Sequence, residues 1–266
     1  MLPVLFKIGS FPVHSYGVML ILGFLAGLYF AKKRAAKAGL NPAKVADMSF
    51  WALIAGVLGA RIAFILQEWN YYSKNLRELF SWQFAGLTSF GGVIGGVALM
   101  IVWARRSGWP VRLVLDVIGP AGLLVHAIGR IGCLLNGCCY GGVCTLPWGI
   151  HVDHVTPLMH PAQIYDSLMN LAAIPLILWV EKRGTSRGQV FALTLVLHGL
   201  ARFIYEFWRA GTEAAVKAGL ASSTYISDSI PITQAQVVAA ILVVVGLALF
   251  VAWRKPAYAQ QELLAS

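Results

Sequence analysis

Long apolar runs, separated by short polar segments, recur along the whole chain. Each run is long enough for a helix that crosses a bilayer, which needs about 20 residues. A helix is the expected element because it satisfies its own backbone hydrogen bonds, which lipid cannot do. The pattern predicts an all-α, polytopic membrane protein of about seven transmembrane helices, in the runs 15–31, 47–66, 87–104, 113–135, 161–180, 189–205 and 231–253. No internal repeat interrupts it, so residues 1–266 are predicted to form a single integral membrane domain.

The composition supports lipid as the main solvent. Hydrophobic residues make up 58% of the 266 residues and charged residues only 12%, and the mean hydropathy is +0.71. A soluble domain carries about 25% charged residues. The net charge of +10 would suggest nucleic acid in a soluble protein. In a membrane protein the basic residues fix the orientation of the spans, so no nucleic-acid partner is expected.

The basic residues also predict the orientation. Thirteen of the 21 Lys and Arg follow the first, third, fifth and seventh runs: Lys32, Lys33, Arg34, Lys37, Lys44, Arg105, Arg106, Arg112, Lys182, Arg183, Arg187, Arg254 and Lys255. The opposite side has only Lys7, Lys74, Arg77, Arg209 and Lys217. The positive-inside rule makes the crowded side cytoplasmic. We therefore expect the N-terminus outside and the C-terminus in the cytoplasm. Residues 1–10 lack the features of a signal peptide, so we expect the first span to be retained.

Three arginines, Arg61, Arg130 and Arg202, lie inside apolar runs, in the halves predicted to be outer. A charge at that depth costs at least about 2.5 kcal/mol. A structural role, such as snorkelling or a helix-pairing ion pair, is the alternative to a binding site. Because Arg202 and Glu206 are four residues apart on one helix face, we predict that Glu206 holds the Arg202 guanidinium. Other residues at this depth are His14, Ser15, Tyr16, Ser89, Gly91, Gly92, His160, Gln163, Tyr165, Asp166 and Arg209.

The densest polar segment, residues 126–142, closes the fourth run. Its glycines let the backbone approach a ligand or a neighbouring helix closely. Arg130 offers a rigid fork of donors that suits a phosphate, and Asn136 adds a neutral donor and acceptor. The segment predicts a site for an anionic ligand with a lipid tail, and a phospholipid headgroup of the outer leaflet fits this description.

Residues 129–141, Gly-Arg-Ile-Gly-Cys-Leu-Leu-Asn-Gly-Cys-Cys-Tyr-Gly, resemble the signature of the bacterial prolipoprotein diacylglyceryl transferases. Further matches fall in order over nearly the whole chain: Tyr16-Gly17, Gly59-Ala60-Arg61, Gly91-Gly92, Ile94-Gly95-Gly96, His160-Pro161-Ala162-Gln163-Ile164-Tyr165-Asp166, Arg202-Phe203-Ile204-Tyr205-Glu206-Phe207-Trp208-Arg209 and Gln236. The chain differs from the family pattern at Phe90, Cys133, Asp166 and His198, where family members often carry His or Tyr, Asn, Glu and Tyr respectively.

The resemblance implies seven spans in the bacterial cytoplasmic (inner) membrane, with the active site towards the outer leaflet. It also implies the reaction: the diacylglyceryl group of phosphatidylglycerol moves to the lipobox cysteine thiol of a preprolipoprotein, a thioether forms, and glycerol phosphate leaves. The expected partners are phosphatidylglycerol, preprolipoprotein signal peptides with a lipobox, and membrane lipid. We expect neither a cofactor nor a metal ion.

The resemblance and the chemistry together suggest roles for individual residues. Arg130 and Arg202 are predicted to clamp the phosphate, with Glu206 beside them. The nucleophile is the substrate thiolate, and either His160 or His198 takes its proton. The predicted substrate-binding residues are Tyr16, Arg61, Gly91, Gly92, Asn136, Gly141, Gln163 and Arg209.

Other classes of function stay open at this point. Cys133, Cys138, Cys139 and Cys144 lie near the predicted outer face, where a quinone-linked thiol oxidoreductase could use them. The chain has no C-x-x-C pair, and small packing residues with one disulfide are the simpler interpretation. A metal site formed by His151, His154, His160 and a cysteine would fit no common zinc spacing. A transporter of anionic solutes is the third alternative.

Overall fold

The computed structural model describes residues 1–9, 11–75, 88–153, 155–227 and 229–254. Within these ranges the helices are α1 (Ser15–Lys37), α2 (Pro42–Gln67), α3 (Trp69–Tyr72), α4 (Ser89–Arg106), α5 (Val111–Asn136), α6 (Ala162–Lys182), α7 (Gln189–Glu206), α8 (Glu213–Lys217) and α9 (Gln234–Ala252). The strands are β1 (Val4–Ile8), β2 (Phe11–His14), β3 (Ile150–Val152), β4 (Val155–Met159), β5 (Ala210–Gly211) and β6 (Ser223–Thr224). Among the basic residues counted above, Arg77 and Lys255 lie outside the described ranges.

The long helices coincide with the predicted apolar runs. In the described part of the chain, α1, α2, α5, α6 and α9 are long and apolar enough to cross a membrane. Helices α4 and α7 overlap the other two runs, but each has 18 residues and carries charges near its end: Arg105 and Arg106 in α4, and Arg202 and Glu206 in α7. The chain is thus a mostly helical, multi-pass membrane protein, with five candidate spans among the residues that the structure describes. The count of seven and the orientation stay predictions.

The surface of these helices is apolar, as lipid contact requires. Ile94, Val244 and Val251 expose 69%, 65% and 71% of their surfaces, and many other large apolar residues are exposed. Soluble monomers rarely expose so much apolar surface, because their apolar patches usually cover no more than a few hundred Å².

The all-α prediction missed three small sheets within the described ranges. β1 pairs antiparallel with β2, β3 pairs antiparallel with β4, and β5 pairs parallel with β6. Their strands have two to five residues, which is too short for a period-two pattern to stand out from the sequence. The β3–β4 hairpin belongs to the segment between α5 and α6, which also carries Gly141 and His160.

The chain divides into two compact units, Met1–Tyr29 with Leu115–Ser266, and Phe30–Val114. In the unit Phe30–Val114, α2 packs on α4 through facing glycines. A Cβ on Gly59 would lie 2.4 Å from the Gly91 carbonyl oxygen, and one on Gly95 would lie 2.4 Å from the Ala55 carbonyl oxygen. The two backbones are in direct contact, which small residues allow between membrane helices.

In the larger unit, glycines again permit close helix packing. A Cβ on Gly199 of α7 would lie 2.9 Å from the Ala239 carbonyl oxygen of α9, and one on Gly246 of α9 would lie 2.9 Å from the Ala192 carbonyl oxygen of α7. Between α5, α6 and α7 lies a buried apolar cluster of Leu123, Ala173, Ile177 and Val190. This packing fixes the ends of α5, α6, α7 and α9 relative to one another.

The N-terminus of α7 is held by a carboxylate from α5. Asp116 is buried, and its two oxygens accept hydrogen bonds from the backbone N–H groups of Gly188 at 2.6 Å and Phe191 at 2.8 Å. The first N–H groups of a helix have no partner within the helix, and a negative charge there also complements the helix dipole.

We expect Asp116→Ala to destabilise the protein by about 2–3 kcal/mol, because it leaves one buried and one partly buried N–H donor without an acceptor. The measurement is thermal unfolding of the detergent-solubilised protein. Asp47→Ala is the matched control, since Asp47 is exposed on α2 and its loss should change stability by less than about 0.5 kcal/mol. Equal midpoints for the two variants would contradict the capping role.

Candidate active site

The polar residues of the larger unit collect at the C-terminal ends of α5 and α7 and the N-terminal ends of α6 and α9. Arg130 comes from α5, Asp166 from α6, Glu206 from α7, and Thr233 immediately precedes α9. The basic residues Lys182, Arg183 and Arg187 lie at the other ends of α6 and α7. The site is therefore at one end of this helix group.

A buried carboxylate, Asp166, organises the first half of the site. One oxygen, Oδ2, lies 2.8 Å from Arg130 Nε and 2.9 Å from His126 Nε2. The other oxygen, Oδ1, accepts a hydrogen bond from Asn170 Nδ2 at 2.7 Å. Asp166 and Asn170 are fully buried, and a buried charge is tolerated only with such partners. Asp166 thereby fixes the direction of the Arg130 guanidinium.

The hydrogen bonds of Asn170 determine which nitrogen of His198 carries the proton. Asn170 Nδ2 donates to Asp166, whose oxygens can only accept, so Asn170 Oδ1 is left to accept. His198 Nδ1 lies 2.8 Å from that oxygen and must donate to it. A neutral His198 then has its lone pair on Nε2, which is the form that a general base requires.

A second buried carboxylate, Glu206, organises the other half. Its Oε2 lies 3.1 Å from Arg202 Nη1 and 3.2 Å from Arg209 Nη1, while Oε1 accepts a hydrogen bond from Thr233 Oγ1 at 3.4 Å. The predicted i, i+4 pair between Glu206 and Arg202 is confirmed. Glu206 is fully buried, so it holds both guanidinium groups in place.

Three arginines surround the ring of Tyr205. The Cζ atoms of Arg130, Arg202 and Arg209 lie 5.4, 4.8 and 5.7 Å from its centroid. The negative face of an aromatic ring attracts such cations. Tyr205 is 2% exposed, so the three positive groups are gathered around one buried ring.

This group of arginines has unsatisfied hydrogen-bonding capacity. Arg130 Nη2 and Arg209 Nε are buried and have no hydrogen-bond acceptor among the described residues, and Arg130 Nε is paired with Asp166 by charge without a hydrogen bond. A buried donor without an acceptor costs about 1–3 kcal/mol. The three guanidinium groups exceed the two carboxylates, Asp166 and Glu206, by one positive charge. The arrangement suits an added anion of single charge with oxygen acceptors.

The other predicted base, His160, lies in an aromatic cluster. Trp148 Nε1 donates to the Tyr165 hydroxyl oxygen at 2.8 Å, and that hydroxyl lies 3.1 Å from His160 Nδ1. The rings of Tyr165 and Trp208 are in edge contact, with centroids 5.2 Å apart. The Tyr165 oxygen accepts from the indole, and its hydrogen is available to His160 Nδ1. If Tyr165 donates that hydrogen, the proton of the neutral ring is on Nε2. Burial lowers the pKa of His160.

Gly141 and Gln163 fix the segment that follows α5. A Cβ on Gly141 would lie 2.5 Å from the Trp208 carbonyl oxygen and 2.7 Å from His160 Cβ, so only glycine fits. The Gly141 N–H donates to the His160 carbonyl oxygen at 2.8 Å. Gln163 is fully buried, and its Nε2 donates to the Cys138 carbonyl oxygen at 2.7 Å. Both residues hold the segment beside the arginines.

Tyr16 and Asn136 lie at the edge of the site. A Cβ on Gly132 of α5 would lie 3.3 Å from Tyr16 Cδ2, so the Tyr16 ring rests on α5 one turn before its end. Tyr16 is 40% exposed, and Asn136, the last residue of α5, is also exposed. Both are accessible to a ligand.

Three of the predicted residues belong to the other unit. Arg61 of α2 is buried, with its Cζ 5.9 Å from the Phe64 ring and 5.5 Å from the Tyr72 ring. Gly91 and Gly92 of α4 pack against α2, where a Cβ on Gly91 would lie 2.3 Å from the Gly59 carbonyl oxygen. The packing accounts for the glycines, and a role in substrate binding stays a prediction for all three.

The four cysteines are free thiols. Cys144 is buried, whereas Cys133, Cys138 and Cys139 have their sulfur atoms within 4.8 Å of one another. Hydrogen bonds from Cys133 and Cys138, with Arg209 and Arg130 nearby, lower the pKa of the Cys139 thiol.

The metal site considered with His151 and His160 included His154, which lies outside the described residues. Within the described ranges, the group of His, Cys, Asp and Glu close enough to hold a metal ion is Cys133, Cys138 and Cys139, so the histidines do not take part in it.

The sequence alone gave no role to several residues of the site. Tyr205, Asn170 and Thr233 carry no charge, and their spacing in the chain gives no signal. His126 was noted only as part of a dense polar segment. Their roles depend on contacts between helices that are far apart in sequence.

Comparisons with known proteins agree with the resemblance. A family model described as prolipoprotein diacylglyceryl transferase matches residues 3–252. A phosphatidylglycerol–prolipoprotein diacylglyceryl transferase of Clostridium tetani is 32% identical over 236 residues, which cover 85% of this chain and 92% of that protein. A protein of the same name from Geobacillus kaustophilus is 32% identical over 268 residues, covering 97% and 94%. Another, from Dehalococcoides mccartyi strain CBDB1, is 33% identical over 265 residues, covering 94% and 92%. These names give no support to a thiol oxidoreductase.

Proposed function

The chain belongs to the prolipoprotein diacylglyceryl transferase family, and on that premise we propose how it transfers the diacylglyceryl group of phosphatidylglycerol to a preprolipoprotein. The acceptor is the lipobox cysteine thiol in the signal peptide. Its sulfur attacks the diacylglyceryl carbon that bears the phosphate. A carbon–sulfur bond forms, the carbon–oxygen bond breaks, and glycerol phosphate leaves with the electron pair.

The convergence of Arg130, Arg202 and Arg209 on Tyr205 is the observation that supports this site. The phosphodiester of the lipid carries one negative charge, which matches the one positive charge in excess. Its oxygens give Arg130 Nη2 and Arg209 Nε the acceptors that these atoms lack. Arg130 and Arg202 clamp the phosphate, and they stabilise the transition state because the leaving phosphate gains negative charge as the bond breaks. Glu206 acts as a positioning residue for Arg202 and Arg209.

The thiol must lose its proton before it attacks. We assign this step to His198, because its Nδ1 donates to Asn170 and its Nε2 is left to accept. His160 has the opposite arrangement, with a hydrogen on Nε2, and therefore serves as a donor to the headgroup or to the leaving oxygen.

The remaining predicted residues have supporting roles in the proposal. Tyr16 and Asn136, which are exposed at the edge, orient the headgroup. Gln163 and Gly141 keep the segment after α5 in position. For Arg61, Gly91 and Gly92 of the other unit, the proposal keeps the predicted role in substrate binding.

We place the protein in the bacterial cytoplasmic membrane as one domain with seven spans. The N-terminus is outside, the C-terminus is in the cytoplasm, and the site faces the outer leaflet. The site and the basic residues Lys182, Arg183 and Arg187 lie at opposite ends of α6 and α7. Because the positive-inside rule puts basic residues in the cytoplasm, this arrangement supports a site on the outer side.

A complementation experiment tests the function. In a bacterium depleted of its own transferase, expression of this chain should restore lipid to a reporter preprolipoprotein, detected by mass spectrometry of the lipidated N-terminal peptide. A reporter whose lipobox cysteine is replaced by serine is the control and should stay unmodified. An unmodified reporter cysteine in cells whose membranes contain the chain would refute the proposal.

A further inference from the structure

Three cysteine thiols meet next to the arginine site, and the proposed transfer reaction does not use them. The sulfur atoms of Cys133, Cys138 and Cys139 lie within 4.8 Å of one another. We propose that these three residues form a binding site for a thiophilic d¹⁰ metal ion, Zn²⁺ or Cu⁺. This proposal does not depend on the transfer reaction. It differs from the expectation, based on the sequence, that the chain binds no metal ion.

The end of α5 brings the first two thiols together. The Cys138 N–H donates to the Cys133 carbonyl oxygen at 3.1 Å, and the Gly137 N–H donates to the Leu134 carbonyl oxygen at 3.1 Å. Gly137 has a φ of +73°. This pair of hydrogen bonds with a left-handed glycine is a Schellman motif, which reverses the chain at a helix C-terminus. The reversal brings Cys138 close to Cys133.

A second turn adds the third thiol. Cys139 has a φ of +63°. Within the described ranges, no other non-glycine residue has a positive φ. A non-glycine residue keeps this conformation only where its surroundings enforce it. Here the buried Gln163 side chain donates to the Cys138 carbonyl oxygen at 2.7 Å and fixes the peptide that joins the two cysteines.

The spacing of the sulfur atoms fits a common metal ligand set. Three thiolates at a Zn–S distance of about 2.3 Å have their sulfur atoms about 4 Å apart. The observed separations of up to 4.8 Å therefore need to shrink by less than about 1 Å, which side-chain rotation can provide. Thiolates select Zn²⁺ and Cu⁺ over harder ions. Three thiolates satisfy Cu⁺ and leave one position of Zn²⁺ to water.

The surrounding charges favour such a complex. Three thiolates with Zn²⁺ carry a net charge of −1, and with Cu⁺ a net charge of −2. Arg209 and Arg130 act electrostatically on the Cys139 thiol, and their positive charge attracts the anionic complex when no lipid is bound. A disulfide is the competing arrangement, but it would use two of the three thiols and leave the third. A disulfide between the adjacent Cys138 and Cys139 would also strain the backbone.

Metal content of the purified full-length chain tests the inference. The purified chain is incubated with Zn²⁺, or with Cu⁺ kept reduced under nitrogen, unbound metal is removed by desalting, and the bound metal is measured by mass spectrometry. We expect about one ion per chain, and loss of that ion in each of Cys133→Ser, Cys138→Ser and Cys139→Ser. The matched control is Cys144→Ser, because Cys144 lies outside the cluster and its thiol contacts the Leu146 carbonyl oxygen instead. Substitution with Co²⁺ should give a thiolate-to-cobalt charge-transfer band in the wild type and in the control only.

A second measurement needs no variant and covers the case in which a serine substitution prevents folding. Zn²⁺ should protect Cys133, Cys138 and Cys139 of the wild-type chain from alkylation, as mapped by peptide mass spectrometry, and a chelator should remove the protection. The inference is overturned if metal content is the same in the triple serine variant, or if alkylation is unaffected by Zn²⁺. It is also overturned if the intact mass shows that two of the three thiols are joined as a disulfide.

Discussion

Replacing Arg130 by lysine should lower kcat/KM for diacylglyceryl transfer by about 10²–10³-fold, which corresponds to about 2.7–4 kcal/mol of transition-state stabilisation. Lysine keeps the positive charge beside Asp166, so the buried carboxylate retains a counter-ion. It loses the planar fork, in which Nε lies 2.8 Å from Asp166 Oδ2 and Nη2 is free for a phosphate oxygen. An ammonium group cannot serve both partners in that geometry.

The assay is transfer from phosphatidylglycerol to a lipobox peptide in detergent or vesicles. Arg183→Lys is the matched control, because the Arg183 Cζ lies 3.5 Å from the centroid of the Trp179 ring, at the opposite end of α6 from Asp166, and its activity should be unchanged. Thermal unfolding of both variants shows whether the fold is kept. If Arg130→Lys and Arg130→Ala both retain full transfer activity, the proposed phosphate clamp is wrong.

Replacing His198 by glutamine should have a comparable effect, about 10²–10⁴-fold on kcat/KM, which is the usual contribution of a positioned general base. Glutamine can still donate to Asn170 Oδ1, but it offers no basic nitrogen to the substrate thiol. The wild-type pH profile should have an acid limb, because activity falls as a general base becomes protonated. That limb should disappear in His198→Gln.

Two further histidine variants make this experiment decisive. His151→Gln is the control, since His151 is exposed on β3 and its loss should leave the profile unchanged. His160→Gln should lower the rate but keep the acid limb, because His160 is assigned a donor role. If the acid limb is lost in His160→Gln and kept in His198→Gln, the two assignments must be exchanged.

The positions of the helices were predictable because lipid imposes a simple pattern. The predicted run 189–205 became α7 (Gln189–Glu206), and the run 113–135 became α5 (Val111–Asn136). A span must be apolar over about 20 residues, so its ends are visible where the polar residues begin. The short strands carry no comparable signal, since β5 and β6 have two residues each.

Contacts between side chains of the site were predictable only where both residues lie on the same helix. Glu206 and Arg202 are one turn apart, and the i, i+4 rule found their ion pair. Arg130 and Asp166 are 36 residues apart on different helices, and nothing in the spacing connects them. The same is true of the Asn170–His198 hydrogen bond, which separates the roles of the two histidines. Pairing across helices follows from packing at glycines and small residues, which a single sequence does not reveal.

The single surplus positive charge around Tyr205 has a consequence for turnover. The lipid arrives as a phosphate diester with one negative charge, but glycerol phosphate departs as a monoester whose charge at neutral pH is between −1.5 and −2. The same three guanidinium groups that favour bond cleavage therefore bind the phosphate product more tightly than the lipid substrate. We expect release of glycerol phosphate, rather than formation of the thioether, to limit the rate of the catalytic cycle.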